Sequence, residues 1–180
     1  FWEREIFLFL REAFRRRCRR TCTVRSWNGF SNKNVTFIVD ATKDLLINVL
    51  KYKPFLIKPN NHELGELFDV KLTTREEVIP YGKKLQKQGA RNVLISMAGE
   101  GAVLVAEDGS VYEAPAPKGT LVNAVGAGDS MVAGFTAGWI EKKDYRHAFY
   151  MGVSAGSASA FSEYLATKEK SWILYEKVSK

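Results

Sequence analysis

The sequence predicts an α/β domain built on a mostly parallel β-sheet. Between residues 31 and 100, apolar runs rich in β-branched residues alternate with segments of helical spacing, which is typical of strands joined by covering helices. A hairpin signal, Asp108-Gly109, follows them. The chain has 180 residues, 46% hydrophobic and 26% charged, which suits one globular domain without disulfides. We therefore expect a parallel sheet with helices on both faces and a β-hairpin.

The elements can be assigned in chain order. Buried strands are predicted in "VTFIVDAT", "PFLIKPN" and "NVLISMAG". Helices are predicted in "KDLLINVLKY", "NHELGELFDV" and "TREEVIPYGKKLQKQGA", the last opened by Thr74 and closed by Gly89. "GAVLVAEDGSVYEAP" predicts two strands joined by a turn, and the chain from Gly126 onward is expected to be mostly helical.

Residues 1 to 30 differ in composition from the remainder. Eight Arg and three Glu there supply +5 of the net charge of +7, and both cysteines, Cys18 and Cys22, lie there too. A nucleic-acid-binding module would rest on this stretch alone. A zinc site lacks a second pair of ligands nearby. We expect no nucleic-acid partner.

A membrane partner is not expected either. The longest late apolar run, "MVAGFTAGWI", is far too short to span a bilayer. Residues 1 to 10 mix acidic with apolar residues, and no small-residue cleavage site follows, so no secretory signal is visible. These features favour a cytoplasmic, reducing location.

The glycine-rich stretch "NAVGAGDSMVAGF" carries the strongest chemical signal. Gly126, Ala127, Gly128 and Asp129 follow an extended segment and open a predicted helix. The first N–H groups of a helix and its dipole attract an anion, and glycines allow close approach. A carboxylate at such a place suits a general base. The alternative is that Asp129 is an N-cap, followed by a packing helix of small residues: Ala133, Gly134, Ala137 and Gly138.

This stretch resembles the carboxyl-terminal signature of the ribokinase-like, or PfkB, carbohydrate kinases. The resemblance implies a three-layer αβα sandwich and ATP-dependent phosphoryl transfer to a sugar. It also implies that Gly126, Ala127 and Gly128 form an anion hole for the transferred phosphoryl group and that Asp129 is the catalytic base.

A second stretch, "LIKPNNHELGELF", resembles the family's Asn-x-x-Glu element. The resemblance implies that Asn60 and Glu63 help to place Mg²⁺ and the ATP phosphates through water. From the residues alone, a turn followed by a carboxylate in the first helical turn explains the pair equally well. Lys58 either reaches a phosphate or, as is more usual at a strand end, is solvated; His62 is expected at the surface.

A third stretch, "SMAGEGA", resembles the family's Ser-x-x-Gly-x-Gly turn, although a simple glycine hairpin turn is the alternative. The resemblance implies nucleotide contacts from Ser96, Met97, Ala98, Gly99, Glu100 and Gly101. The three elements follow the family's order along the chain. Downstream, "SAGSASAF" resembles the small-residue helix behind the adenine pocket, or is simply a close-packed helix.

The amino-acid sequences of these stretches are most similar to those of family members that phosphorylate fructose 1-phosphate at its 6-hydroxyl. Members that act on tagatose 6-phosphate are the neighbouring alternative, and an inactive nucleotide-binding remnant is a further one. Tyr164 stands where a glycine is expected and Ala124 where a serine is common. The intact family leads us to consider a homodimer.

We divide the chain into residues 1–30, an aberrant Arg-rich segment, and 31–180, the carboxyl-terminal ATP-binding part of a PfkB-type kinase domain. Codons allowed for residues 10 to 30 can be regrouped by one base to encode the family-like "LAGSIPKTLPEDMYGQIMEWL". We therefore hypothesise a frame-shifted segment, which the coding DNA tests. The hypothesis implies that the family's amino-terminal part is absent, that a sheet edge before Ser31 is uncovered, and that kinase activity is impaired.

Overall fold

The structure, a computed structural model, describes residues 6–11, 35–40 and 43–179, with side chains for 35–40 and 46–179. Cys18, Cys22 and the Arg-rich run around them lie outside the described residues, so the expectations for them stay predictions. The chain divides into two compact units. The first comprises Phe1–Ile95 with Val105–Ser110, and the second comprises Ser96–Leu104 with Val111–Lys180.

Four parallel strands form the sheet of the first unit, in chain order. They are β1 (Ile6–Arg11), β2 (Val35–Asp40), β3 (Leu56–Ile57) and β4 (Asn92–Ser96). The register pairs Ile38 of β2 with Leu56 of β3, and Leu56 in turn with Asn92 of β4. β3 is short because Pro54 and Pro59 flank it and have no N–H to add to the ladder. The predicted parallel sheet is confirmed.

Strand β1 corrects one expectation. The prediction that the sheet edge before Ser31 is uncovered is wrong, because β1 pairs with β2 from Ile6↔Val35 to Arg11↔Asp40. The sequence of β1, "IFLFLR", is an almost continuous apolar run. Parallel strands that are covered on both faces require such a run rather than an alternating pattern, so this segment suits a parallel sheet.

Three helices of the first unit are described: α1 (Lys43–Leu50), α2 (Asn61–Phe68) and α3 (Arg75–Lys87). As predicted, Thr74 caps α3, and Gly89 follows its end with a φ of 132°. A Cβ at Gly82 would lie 2.8 Å from Val105 Cγ2, which shows how closely α3 approaches the strand beneath it. Leu46, Leu64 and Leu85 are fully buried on these helices.

The second unit holds most of the hairpin and the remaining described helices. These are β5 (Ala102–Val105), β6 (Val111–Ala114), α4 (Ala127–Lys142), α5 (Tyr145–Ala160) and α6 (Lys168–Val178). At the predicted hairpin turn, Ser110 N–H donates to Asp108 Oδ1 at 2.8 Å and Gly109 has a φ of 90°. Within the described part of the chain, no helix is long and apolar enough to cross a membrane.

Close packing of α4 against α5 positions the start of α4. A Cβ at Gly134 would lie 2.6 Å from Met151 O, and one at Gly138 would lie 2.9 Å from Ala148 Cα. Ala133 and Ala137, expected to share this contact, are exposed instead. The glycines alone of that predicted set therefore bring the two helices together. Phe135 and Phe149 are fully buried in the same unit.

Candidate active site

Helix α4 begins at a glycine rather than at a capping side chain. Gly126 is the N-cap residue, with a left-handed φ of 81° and no side-chain cap hydrogen bond. Ala127 N–H donates to Ala124 O at 3.2 Å, and Ser130 N–H donates to Gly126 O at 2.9 Å. The N–H of Gly128 lies between them, in the first turn, where a helix offers no intrahelical acceptor. The predicted helix start, with its positive dipole end, is confirmed.

Asp129 lies in the first turn of α4. The alternative that it is the N-cap is wrong, because Gly126 occupies that position. Asp129 is partly exposed, as are its neighbours from Gly126 to Ser130. A carboxylate in a first turn is stabilised by the helix dipole, and partial exposure leaves it accessible to a substrate hydroxyl. Its role as a base stays a prediction.

Hydrogen bonds tie the approach to α4 to the segment that follows α5. Asn123 Nδ2 donates to Glu163 O at 3.1 Å. Ser159 Oγ donates to Ser130 Oγ at 2.8 Å and accepts from Ala166 N–H at 3.0 Å. Sequence reasoning saw only small residues in "SAGSASAF" and missed Ser159. The available signal was a serine near the end of that helix, where a hydroxyl can bond to backbone outside it.

Leu165 lies beside the glycine turn. A Cβ at Gly126 would lie 2.7 Å from Leu165 Cδ2, so a glycine fits this place and a larger residue requires Leu165 to move. Tyr164, the departure from the family pattern, exposes 82% of its surface. Ala124, the second departure, is also exposed.

The turn from Ser96 to Gly101 is closed by its own backbone. Met97 N–H donates to Gly101 O at 2.8 Å, and Ala98–Glu100 form an exposed 3₁₀ turn. Gly101 has a φ of 96°, and a Cβ there would overlap Ala114 O. The Met97 side chain is buried, whereas Ser96 is half-buried. The turn therefore presents residues 98–100 to solvent at the end of β4.

Asn60 and Glu63 form a capping box at the start of α2. Glu63 N–H donates to Asn60 Oδ1 and Asn60 N–H donates to Glu63 Oε2, each at 2.8 Å. One oxygen of each side chain therefore serves the helix, and Glu63 Oε1 lies outside the box. This donor set fits a cation held through water rather than by several direct carboxylates. His62 is exposed, as expected.

Metal-ligating residues are not clustered elsewhere in the described part of the chain. Over those ranges, no group of three or more His, Cys, Asp or Glu side chains could hold an ion.

A lysine at the end of a strand is usually solvated, but Lys58 is not. It is buried, with 7% of its surface exposed, and its Nζ lies 3.4 Å from Asp40 Oδ1. Asp40 ends β2 and Lys58 directly follows β3, so the pair lies at the carboxyl end of two adjacent parallel strands. Sequence reasoning missed Asp40. The signal was the carboxylate that ends "VTFIVD", because ligands of α/β sheets bind at that edge.

The predicted site residues fall in both units. The structure brings Asn60 and Glu63 into direct contact in the first unit. The Ser96–Gly101 turn and the Gly126–Asp129 turn belong to the second unit. The structure thus shows their local geometry, which is a capped helix start, a closed glycine turn and an uncapped helix start, and their roles in a site stay predictions.

Solved structures define the class of protein to which this fold belongs. A phosphofructokinase-2 mutant from Escherichia coli matches 98% of this chain and 58% of its own, with a TM-score of 0.88 and 24% identity. Arabidopsis thaliana ribokinase, solved with ribose and ATP, matches 94% of this chain and 55% of its own, with a TM-score of 0.76 and 18% identity. The fold is therefore ribokinase-like, as expected.

Sequence comparison specifies the family within that class. The profile described as "pfkB family carbohydrate kinase" matches residues 21–171, and the chain belongs to this family. A 1-phosphofructokinase from Bacillus subtilis is 52% identical over 137 residues, which are 76% of this chain and 45% of that protein. A D-tagatose-1-phosphate kinase from Bacillus licheniformis is 37% identical over 145 residues, which are 78% of this chain and 46% of that protein. The chain thus spans less than half the length of these relatives.

The family match extends into the Arg-rich segment, because it begins at residue 21. The resemblance in the sequence motifs covers residues 31 to about 170, so the matched range begins earlier than those motifs indicate. The division of the chain at residue 30 and the frame-shift hypothesis stay predictions.

Proposed function

We propose that this chain is the ATP-binding part of a kinase that phosphorylates a sugar phosphate, with fructose 1-phosphate converted to fructose 1,6-bisphosphate. The observation that carries the proposal is the uncapped start of α4, with Asp129 in its first turn, in a chain of the pfkB family. An uncapped helix start attracts a phosphoryl group, and a neighbouring carboxylate can take the proton of the attacking hydroxyl.

The proposed reaction follows from these groups. Asp129 accepts the proton of the sugar's 6-hydroxyl while that oxygen forms a bond to the γ-phosphorus of ATP and the bond to ADP breaks. Backbone N–H groups of Gly126, Ala127 and Gly128, at the uncapped start of α4, stabilise negative charge on the transferred group in this proposal. Ala127 N–H, which donates to Ala124 O at a long 3.2 Å, must turn toward the phosphoryl oxygen to contribute.

Two other stretches have proposed roles in the reaction. The turn of Ser96, Met97, Ala98, Gly99, Glu100 and Gly101 contacts the nucleotide, chiefly through its exposed 3₁₀ turn. Asn60 and Glu63 orient water molecules around Mg²⁺, with Glu63 Oε1 as the available charged oxygen. Mg²⁺, when bound, supplies charge neutralisation between the ATP phosphates.

The choice of sugar rests on the relatives. The 52% identity to a 1-phosphofructokinase supports fructose 1-phosphate. The 37% identity to a D-tagatose-1-phosphate kinase supports tagatose 1-phosphate as the second candidate, in place of the expected tagatose 6-phosphate. Fructose 1-phosphate and tagatose 1-phosphate differ in the configuration of one carbon, so comparing kcat/KM for both in the full-length kinase distinguishes the candidates.

The 180-residue polypeptide alone is expected to bind Mg-ATP with little or no turnover, because it corresponds to less than half the length of its relatives. Calorimetric titration with Mg-ATP and a coupled ADP-release assay with fructose 1-phosphate test this. Saturable ATP binding without ADP release is the expected result. ADP release at the rate of an intact kinase would contradict the impairment, and absence of ATP binding would contradict the proposed function.

A further inference from the structure

The ion pair of the buried Lys58 and the partly exposed Asp40 has no part in the proposed reaction. Lys58 exposes 8% of its side chain and Asp40 exposes 25%, and their charged atoms lie 3.4 Å apart. Taking an ammonium group out of water is costly unless an anion lies close to it. Asp40 is therefore the group that makes the buried position of Lys58 tolerable.

The position of the pair is as informative as its burial. Val39 pairs with Ile57 in the parallel register, and Lys58 N–H donates to Val39 O at 3.2 Å. Backbone pairing thus carries the two side chains to the carboxyl edge of the sheet together. Lys58 precedes Asn60 by two residues, so the ammonium lies on the same strand-to-helix connection as the capping box. Ligands of parallel α/β sheets bind at this edge.

A second ion pair in the same unit shows what a purely structural pair looks like. Arg91 Nε lies 2.6 Å from Glu107 Oε2, with 47% and 31% of these side chains exposed. Arg91 immediately precedes β4, so this pair stands at the amino end of its strand, away from the ligand edge. It is shorter and more exposed than the Lys58–Asp40 pair. The Lys58–Asp40 pair lies at the ligand edge, is less exposed and has a longer separation. This arrangement suits an ammonium group that remains able to bind a phosphate.

We propose that Asp40 is a positioning residue, which holds the Lys58 ammonium at the carboxyl edge of β2 and β3 for the phosphates of ATP. This inference rests on the proposed function, and it adds a residue that does not touch the nucleotide. Asp40 acts through Lys58 in two ways: it offsets the cost of burying the ammonium, and it fixes the direction of a side chain that otherwise has many rotamers.

The test compares ATP with AMP on the full chain, because a lysine for the outer phosphates affects only ATP. The Kd of each nucleotide is measured by calorimetry in the presence of Mg²⁺. We expect Asp40→Asn to weaken ATP binding on the order of tenfold and to leave AMP binding unchanged. Lys58→Met is expected to give the same selective loss. The double variant is expected to lose no more than either single one, because Asp40 acts through Lys58.

Two further variants make the test decisive. Glu107→Gln, the matched control, breaks the Arg91–Glu107 pair and is expected to change neither Kd. Asp40→Glu keeps the charge but shifts the carboxylate by one methylene, and is expected to lose ATP affinity about threefold. If Asp40→Asn does not fold, the ATP-selective loss must appear in Asp40→Glu, and its absence there overturns the inference.

The outcomes separate this inference from the function on which it rests. If the parent chain binds no ATP, the proposed function fails and the inference fails with it. If the parent binds ATP but the Asp40 variants do not change the ratio of ATP to AMP affinity, only the inference fails. Equal losses for both nucleotides, or losses that add in the double variant, would assign a structural role to Asp40 and overturn the inference.

Discussion

Two helices in this chain differ in whether side chains accept hydrogen bonds from the free backbone N–H groups at their first turns. At the start of α2, Asn60 and Glu63 satisfy each other's backbone N–H groups in a capping box. At the start of α4, Gly126 has no side chain with which to cap, and its left-handed backbone turns the chain into the helix. α3, α5 and α6 resemble α2 in this respect, because Thr74, Asp144 and Thr167 accept hydrogen bonds from their first turns.

A capped helix start favours stability, whereas an uncapped one favours anion binding. In a capped start, side-chain oxygens replace water as acceptors for the first N–H groups, so the helix is stabilised but attracts an anion less. An uncapped start keeps donors and dipole for an external partner. Asn60 and Glu63 can therefore contribute to a site only through the side-chain atoms that the capping box does not use. In the first turn of α4, no side chain caps the backbone N–H groups, although the Ala127 N–H donates to Ala124 O.

Substitution of Gly126 is expected to have the largest effect. Gly126→Ala forces a Cβ into a left-handed backbone and toward Leu165, 2.7 Å away. We expect a loss of about 1–2 kcal/mol in the free energy of unfolding, from backbone strain alone. ATP affinity should fall on the order of tenfold or more, because the N–H groups of the turn are reoriented. Chemical denaturation and calorimetric titration measure the two effects.

Two glycines serve as controls for that experiment. Gly109 has a φ of 90° with nothing close to its missing Cβ, so Gly109→Ala introduces strain without a contact. Gly99 has neither a positive φ nor a close neighbour, so Gly99→Ala is expected to change the free energy of unfolding by less than about 0.5 kcal/mol. Gly99→Ala is a control for the stability measurement alone, because Gly99 belongs to the proposed nucleotide turn. If Gly109→Ala weakened ATP binding as much as Gly126→Ala, the effect would be one of global stability.

Variants of the capping box are expected to have an intermediate effect. Asn60→Ala removes the cap and should cost about 1 kcal/mol of unfolding free energy. Glu63→Gln preserves the box, because glutamine can accept the same Asn60 N–H, but it removes the charge. We expect near-native stability and a several-fold higher Mg²⁺ concentration for half-maximal ATP binding. Unchanged Mg²⁺ dependence in Glu63→Gln would leave the pair with the structural role alone.

The comparison also shows which features the sequence could predict. Strand β2, helix α3 with its Thr74 cap, and the Asp108-Gly109 turn depend on neighbours along the chain, and their signals are local. The burial of Lys58 could not be predicted in this way, because its partner Asp40 lies on another strand and meets it only through sheet register.

Strand β1 was missed for a different reason. The run "IFLFLR" directly precedes an Arg-rich stretch, and its periodicity alone suits a buried helix as well as a strand. Its pairing with β2 is a contact between segments that are far apart in sequence. At the candidate site, the glycine turn was recognisable from the sequence, whereas the support from Ser159 depends on how the end of α5 meets Ser130.

The smallest effect is expected at a capping box outside the candidate site. At the start of α3, hydrogen bonds from the backbone of Thr73, then that of Thr74, and from the Thr73 hydroxyl lower the pKa of Glu77 below its ordinary 4.5. A lowered pKa means that the stabilisation is fully present above about pH 4.5 and is lost as the pH falls through the lower folded value. Glu77→Gln keeps an acceptor but removes this titration, so its unfolding free energy should depend less on pH than that of the parent in acid. Denaturation curves at pH 3 to 6 measure the difference, which solvent screening keeps small. An undiminished pH dependence would show that the Glu77 box gains its stability without the charge, and Glu63→Gln would then be the sharper test of what a carboxylate adds at α2.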